Sequence, residues 1–239
     1  MKYSFIPLIG CFVLFCACEK DETFKSNKEE EQIDFPNEIK VDSGYSYVDF
    51  GENRLAVYSP NESHIYESLI LAFPPTNGTN TLMRGILRHV ADSTDALILS
   101  PDYVQTSAYQ YGIMIDSLMA LKQFQGMPKY FVGYSAGGAD AFVEAQRLGD
   151  EVDGLVLLAA GRSTNGFLNA SAPPLMKICF CSGTEDFVYP ANVSLYEDLL
   201  KLRQDMKFIE IEGFDHGGMF STKYPDEIAE CFAFVAKRR

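Results

Sequence analysis

The six residues Gly133-Tyr134-Ser135-Ala136-Gly137-Gly138 constrain this chain more than any other stretch. They follow an apolar run, Tyr130-Phe131-Val132, and precede residues 139–148, whose composition favours a helix with apolar positions at Phe142, Val143 and Leu148. Strand, G-x-S-x-G and helix in immediate succession force the chain to reverse within a few residues. A serine at such a turn is held in a strained backbone conformation with its hydroxyl raised above the strand ends. Neighbours two residues away on either side come too close for side chains, which accounts for Gly133 and Gly137. The Ala136 amide opens the helix and points to where an oxyanion would form. A glycine-rich turn with an incidental serine is the plain alternative, and residues downstream decide between the two.

The rest of the chain alternates. Residues 45–48 and 54–58, split by Gly51-Glu52-Asn53, read as an antiparallel hairpin. Residues 68–73 form a continuous apolar run, the sign of a strand buried on both faces, which ends at Pro74-Pro75-Thr76-Asn77-Gly78. Leu82, Ile86 and Val90 make one helical stripe within residues 81–91. A buried strand at 96–99 stops at Pro101. Residues 109–124 then place Ile113, Met114, Leu118, Leu121 and Phe124 at helical spacing, closed by Gly126 and Pro128. After the serine turn come strands at 154–159, 175–181 and 207–211, with helices near 192–203 and 226–236. This order predicts an α/β fold over residues 44–239: a mostly parallel central sheet, helices on both faces and an N-terminal antiparallel hairpin. An apolar content of 47% in 239 residues suits one domain with one large core. Ligands in such sheets sit beyond the carboxyl ends of the strands.

Residues 1–17 read as a signal peptide. Lys2 supplies the positive start, and residues 5–17 form an apolar stretch too short to span a bilayer. Phe15-Cys16-Ala17-Cys18 resembles the lipobox of bacterial lipoproteins, with Phe15 where Leu is usual. The resemblance implies a cut after Ala17 and a lipid on Cys18, with cleavage before Cys16 as the alternative. Glu19-Lys20-Asp21-Glu22 resembles the acidic surface-export signal of Bacteroidetes lipoproteins, which implies a lipid-anchored protein at a bacterial outer membrane; the sequence does not give the membrane face. An ordinary secretory peptide that ends in cysteines is the bland reading. Residues 18–43 are expected to be an acidic, disordered tether. The formal charge of −13 speaks against nucleic acid or an anionic membrane surface as partner, so membrane contact is expected through the N-terminal lipid alone. The sequence carries no signal of oligomeric state.

Beyond the N-terminus the cysteines are Cys179, Cys181 and Cys231. Cys179 and Cys181 share one face of a strand and are badly placed to bond each other. They read, with Cys231, as three buried thiols rather than a disulfide framework. No CxxC or HExxH pattern is present, and neither metal nor cofactor is expected.

A serine hydroxyl is a poor nucleophile at neutral pH and needs a base, which in turn needs a carboxylate to fix its tautomer. The chain has three histidines. His64 lies in a polar loop and His89 within a helix. His216 lies in Gly213-Phe214-Asp215-His216-Gly217-Gly218, a glycine-rich loop after the last strand. For the acid, residues 182–190 (Ser-Gly-Thr-Glu-Asp-Phe-Val-Tyr-Pro) follow a strand and offer Asp186, with Glu185 as its competitor. Asp215 reads as a turn former.

Ser135, Asp186 and His216 thus occur in the order Ser…Asp…His, each in a loop after a strand. This order, the G-x-x-D-x-x-V-P loop and the histidine after the last strand resemble the α/β-hydrolase superfamily. Residues 133–139, GYSAGGA, are similar to the elbow of esterases of the polyhydroxybutyrate depolymerase, feruloyl esterase and dienelactone hydrolase groups. The resemblance covers roughly residues 44–236. It implies a serine ester hydrolase with Ser135, Asp186 and His216 as triad, acting on acyl or feruloyl esters of polysaccharides. One departure is the third strand's exit, where these families carry His-Gly-x and this chain has Pro74 and Pro75, neither with an N–H to donate. Thr76 is the first available amide, so Thr76 and Ala136 are the expected oxyanion donors. Losing one such donor costs about 3 kcal/mol of transition-state stabilisation.

Between the strands at 154–159 and 175–181 lies a short loop with only Phe167 and Leu168 as large apolar groups, which implies little or no lid and an open site. Tyr103, Tyr109 and Tyr134 are placed near the rim, where they are packing residues or contacts for a sugar or aromatic ring. The proline pair favours a second reading, a non-catalytic binding or scaffold lipoprotein on a degenerate hydrolase fold. GYSAGG also resembles prolyl-oligopeptidase-type serine peptidases, a third reading, although no propeller domain and no acidic amine-binding motif accompany it.

Overall fold

The computed structural model describes residues 35–51, 53–61, 65–75, 78–101, 108–160, 176–202, 205–218 and 225–237. The hairpin is β1 (Gly44–Phe50) and β2 (Asn53–Ser59), antiparallel, with Val48 opposite Leu55 and Tyr47 opposite Ala56. There follow β3 (Ser68–Phe73), α1 (Asn80–Thr94), β4 (Ala96–Pro101), α2 (Ala108–Ala120), β5 (Lys129–Tyr134) and α3 (Ala136–Leu148). The second half comprises β6 (Gly154–Leu158), β7 (Lys177–Gly183), α4 (Tyr189–Leu200), β8 (Met206–Ile211) and α5 (Pro225–Val235). The strands form one eight-stranded sheet in the order β1-β2-β4-β3-β5-β6-β7-β8. β2 meets β4 antiparallel, and the pairings from β4 through β3, β5, β6 and β7 to β8 are all parallel.

The continuous apolar runs behave as expected of strands covered on both sides: β3, β4, β5 and β6 are buried along their whole length. Side chains alternate between two cores. Phe131 faces one with α2, α3 and α4, while Tyr130 and Val132 face the other with α1 and α5. Burying each large apolar side chain contributes about 1.5–3 kcal/mol before the entropy of ordering is set against it. The guanidinium of Arg84 on α1 donates to the carbonyl of Ser46 at 2.8 Å and lies 4.5 Å from the Tyr47 ring, which binds the hairpin to the first helix.

Four details differ from the sequence expectation. The helix through residues 109–124 stops at Ala120. Leu121 is extended at φ −60°, ψ 131°, and a short 3-10 turn, Lys122–Phe124, carries Phe124 into the core. Val143 is exposed, because the helical period that buries Ala141, Phe142 and Ala145 turns it outward. The tether expected to end at residue 43 gives way to packed chain earlier. Ile39 and Val41 are buried, Ile39 exchanges hydrogen bonds of 2.8 and 3.2 Å with the Gln123 side-chain amide, and Phe35 packs on Phe50. Alternating apolar residues at 39 and 41 are too sparse to stand out within an acidic segment, yet they suffice to cover the core's edge. Finally, Cys179 and Cys231 form a disulfide between β7 and α5, correcting the reading of three free thiols. Cys181 remains a buried thiol on the same face, and burial, aided by Glu227 and Glu230, pushes it up to about 12.

Candidate active site

The three loops that follow β5, β7 and β8 meet at the carboxyl end of the sheet. At the first, Ser135 sits between β5 and α3 with φ 51° and ψ −122°, a conformation that side chains rarely adopt and that costs about 1–3 kcal/mol. Its own amide donates to the Leu158 carbonyl at 2.9 Å, which ties the turn to β6. The sharpness of the turn leaves no room at its flanks. A Cβ on Gly133 would lie 2.3 Å from the Gly137 carbonyl oxygen, and one on Gly137 would lie 2.3 Å from that of Phe73. Ala136 is the first residue of α3, where helical amides have no acceptor within the helix. Its N–H is therefore available to an anion beside Ser135. Pro74 presses on the same turn, its carbonyl oxygen 2.4 Å from the Gly137 Cβ position. Thr76, the other expected donor, lies outside the described residues, as do Tyr103, His64, Cys16, Cys18 and the loop expected to replace a lid.

The acid loop is a tight turn between β7 and α4. Asp186 donates its amide to Gly183 at 3.2 Å and accepts the Tyr189 amide on its carbonyl at 2.9 Å, while its Oδ1 accepts the Val188 amide at 2.9 Å. The carboxylate stands just ahead of α4, where the helix dipole favours negative charge. The histidine loop is stitched to it. Thr184 and Glu185 donate their amides to the carbonyls of Ile211 and Phe214 at 3.0 and 2.9 Å, and Gly213 donates to Thr184 Oγ1 at 2.9 Å. Glu185, the competing acid, is exposed, and Asp215 accepts the Gly218 amide at 2.6 Å as a turn residue. His89 lies exposed on α1, away from these loops.

At the meeting point His216 Nδ1 is 2.9 Å from both Asp186 oxygens, and Nε2 is 2.9 Å from Ser135 Oγ. A carboxylate only accepts, so Nδ1 carries the hydrogen and Nε2 accepts the serine proton. The Asp186 side chain is fully buried, whereas the imidazole is 19% exposed. Moving the hydroxyl proton to Nε2 creates an imidazolium directly against the carboxylate, the arrangement that makes a serine nucleophilic.

Among the described residues, two aromatic rings lie against the imidazole. Tyr134, directly before the serine, is fully buried and donates its hydroxyl to the His216 carbonyl at 2.5 Å. It is a strut and not a rim residue as the sequence placed it. Burial, and then the charges of Asp186 and Asp215, raise its hydroxyl pKa, so it stays a donor. The side chain of Tyr109 lies outside the described residues. Phe187, directly after the acid, is the rim residue, 77% exposed with its ring centroid 4.6 Å from that of His216. Its only sequence signal is an apolar residue at a turn position that polar residues usually fill.

Among the described residues no group of three His, Cys, Asp or Glu is arranged to hold a metal ion. A cleft of about 550 Å³, lined by Met127, Lys129, Asp150 and Lys177, lies at the other end of the strands and does not touch this site.

No family model and no curated protein matches the chain. Solved structures do. Est1E from Butyrivibrio proteoclasticus aligns with a TM-score of 0.63 and 14% identity over 82% of this chain and 100% of its own. A lidless α/β serine hydrolase from Xanthomonas campestris gives 0.62 and 16% over 82% and 94%. The fluorophosphonate-binding serine hydrolase FphF of Staphylococcus aureus gives 0.61 and 17% over 82% and 100%. At these identities the likeness is one of fold, and the fold is that of the α/β hydrolases.

Proposed function

We propose that this α/β-hydrolase-fold chain is a serine hydrolase that cleaves carboxylic esters through an acyl-enzyme. The observation that carries the reading is the unbroken series Ser135–His216–Asp186, each contact 2.9 Å, with the nucleophile on a strained turn. Ser135 Oγ attacks the ester carbonyl as His216 Nε2 takes its proton. The Ala136 amide receives the developing oxyanion, a contact worth about 3 kcal/mol in such sites. His216 then returns the proton to the departing alcohol, and water repeats the sequence on the acyl-enzyme. Thr76 is the proposed second oxyanion donor, as the first amide after the proline pair.

The structural neighbours named esterases and serine hydrolases support the reaction class. The N-terminal sequence supports a lipid on Cys18 and a place at a bacterial outer membrane, and an acyl ester of a polysaccharide is the substrate that suits both. Pro74-Pro75 favours the competing reading of a non-catalytic lipoprotein, because two successive residues beside the elbow lack an N–H. A fluorophosphonate probe separates the two. Labelling of the wild type and not of Ser135→Ala supports hydrolysis; an unlabelled wild type removes it. Turnover of p-nitrophenyl acetate without cleavage of peptide anilides sets aside the peptidase.

A further inference from the structure

Phe187 lies against the imidazole that must protonate an ester's departing alcohol. When the tetrahedral intermediate collapses, the carbon–oxygen bond to the alcohol breaks and its electron pair stays on that oxygen. The oxygen takes the proton from His216 Nε2, and the carbonyl re-forms on Ser135. The departing oxygen must therefore come within about 3 Å of Nε2. Whatever that oxygen carries is thereby brought close to the imidazole, whose ring centroid lies 4.6 Å from that of Phe187.

An exposed phenyl group alone means little, since single apolar residues are common on surfaces. Two further facts separate Phe187 from the other exposed apolar residues, such as Ile65, Val143 and Leu202. Its backbone is held one residue after Asp186, inside a turn whose amides at 186, 188 and 189 are all bonded. It also touches the proton-transferring ring itself, at an interplanar angle of 49°, while 77% of its surface stays open. A ring that were only a brace for His216 would be buried as Tyr134 is.

Resting on the ester-hydrolase reading, we infer that Phe187 is a leaving-group subsite, and that the natural alcohol bears a flat ring with an apolar face that packs on it. Aryl alcohols and sugar rings share that chemistry, and substrates distinguish them. Wild type, Phe187→Ala and Phe187→Leu are compared on ethyl acetate, phenyl acetate and a singly acetylated methyl glucopyranoside, with active enzyme counted by fluorophosphonate titration. Each variant is judged against wild type on the same ester, so differences in intrinsic reactivity cancel. The alanine variant is expected to lose about tenfold in kcat/KM on a ring-bearing ester and less than twofold on ethyl acetate. The leucine variant, apolar but not flat, should lose an intermediate amount. Loss on phenyl acetate alone identifies an aryl alcohol, and loss on the sugar ester identifies a sugar. Equal losses on all three esters would make Phe187 a brace for His216 and overturn the inference, and so would no loss on any; both leave the hydrolase reading standing. A wild type that neither labels nor turns over an ester removes both.

Discussion

Tyr134→Phe removes one oxygen atom from the protein and tests whether the turn at Ser135 positions the His216 loop. The hydroxyl donates to the backbone carbonyl of the residue that carries the imidazole, across 82 positions of sequence, from a fully buried ring. Phenylalanine keeps the ring and its packing against His216 and removes that bond. For a bond of this kind the stability cost is about 1–2 kcal/mol. The catalytic cost is larger in proportion. The contact of 2.9 Å between Nε2 and Oγ depends on where the histidine loop rests, and a displacement of about 1 Å in such a geometry costs up to about a hundredfold. The expected result is a fall of about 10- to 100-fold in kcat and in the rate of fluorophosphonate labelling, with KM little changed. Because the raised pKa keeps Tyr134 protonated, the ratio of variant to wild type should be flat from about pH 6 to about pH 9. Urea melts of both proteins report the stability cost separately. A folded variant that labels within twofold of wild type would refute the strut.

Asp186→Asn should leave the fold intact but hold His216 in the wrong tautomer, lowering kcat on the order of 10⁴-fold in the p-nitrophenyl acetate assay. Gly133→Ala places a methyl group 2.3 Å from a backbone oxygen, and should cost about 3 kcal/mol or more in a urea melt or leave no soluble protein. Reducing the Cys179–Cys231 disulfide reopens a loop of 52 residues and should lower stability by about 4 kcal/mol, read as a drop in urea midpoint that Cys231→Ala reproduces. Only the thiolate is alkylated, and Cys181 is pushed up to about 12. Iodoacetamide at pH 8 should therefore leave the peptide containing Cys181 unmodified in the folded protein and modify it in urea.

Much of the site was legible along the chain because its determinants are local. A strand-turn-helix reversal demands small residues around Ser135, and a tight turn at Asp186 and a glycine-rich loop at His216 leave equally short signatures. The central strands were legible because burial on both faces removes polar residues altogether. Phe187 leaves no such signature, because nothing in five residues of sequence says that its turn faces the histidine loop. The burial of Tyr134 is hidden for the same reason: its neighbours do not reveal which side of β5 lies under α5.

The amino-acid order alone carries the succession of strands and helices, the reversal at Ser135 and the presence of a serine, a carboxylate and an imidazole in three separate loops. Periodicity and turn chemistry act over a few residues, and that is the range over which a linear pattern can be read. The tertiary structure alone decided that Cys231 on α5 reaches Cys179 on β7, that residues 39 and 41 close the edge of the core, and that one of two aromatic rings beside His216 is buried while the other faces solvent. Those choices belong to the packing of helices across the sheet, where contacts join residues far apart in sequence and each depends on how the others have settled.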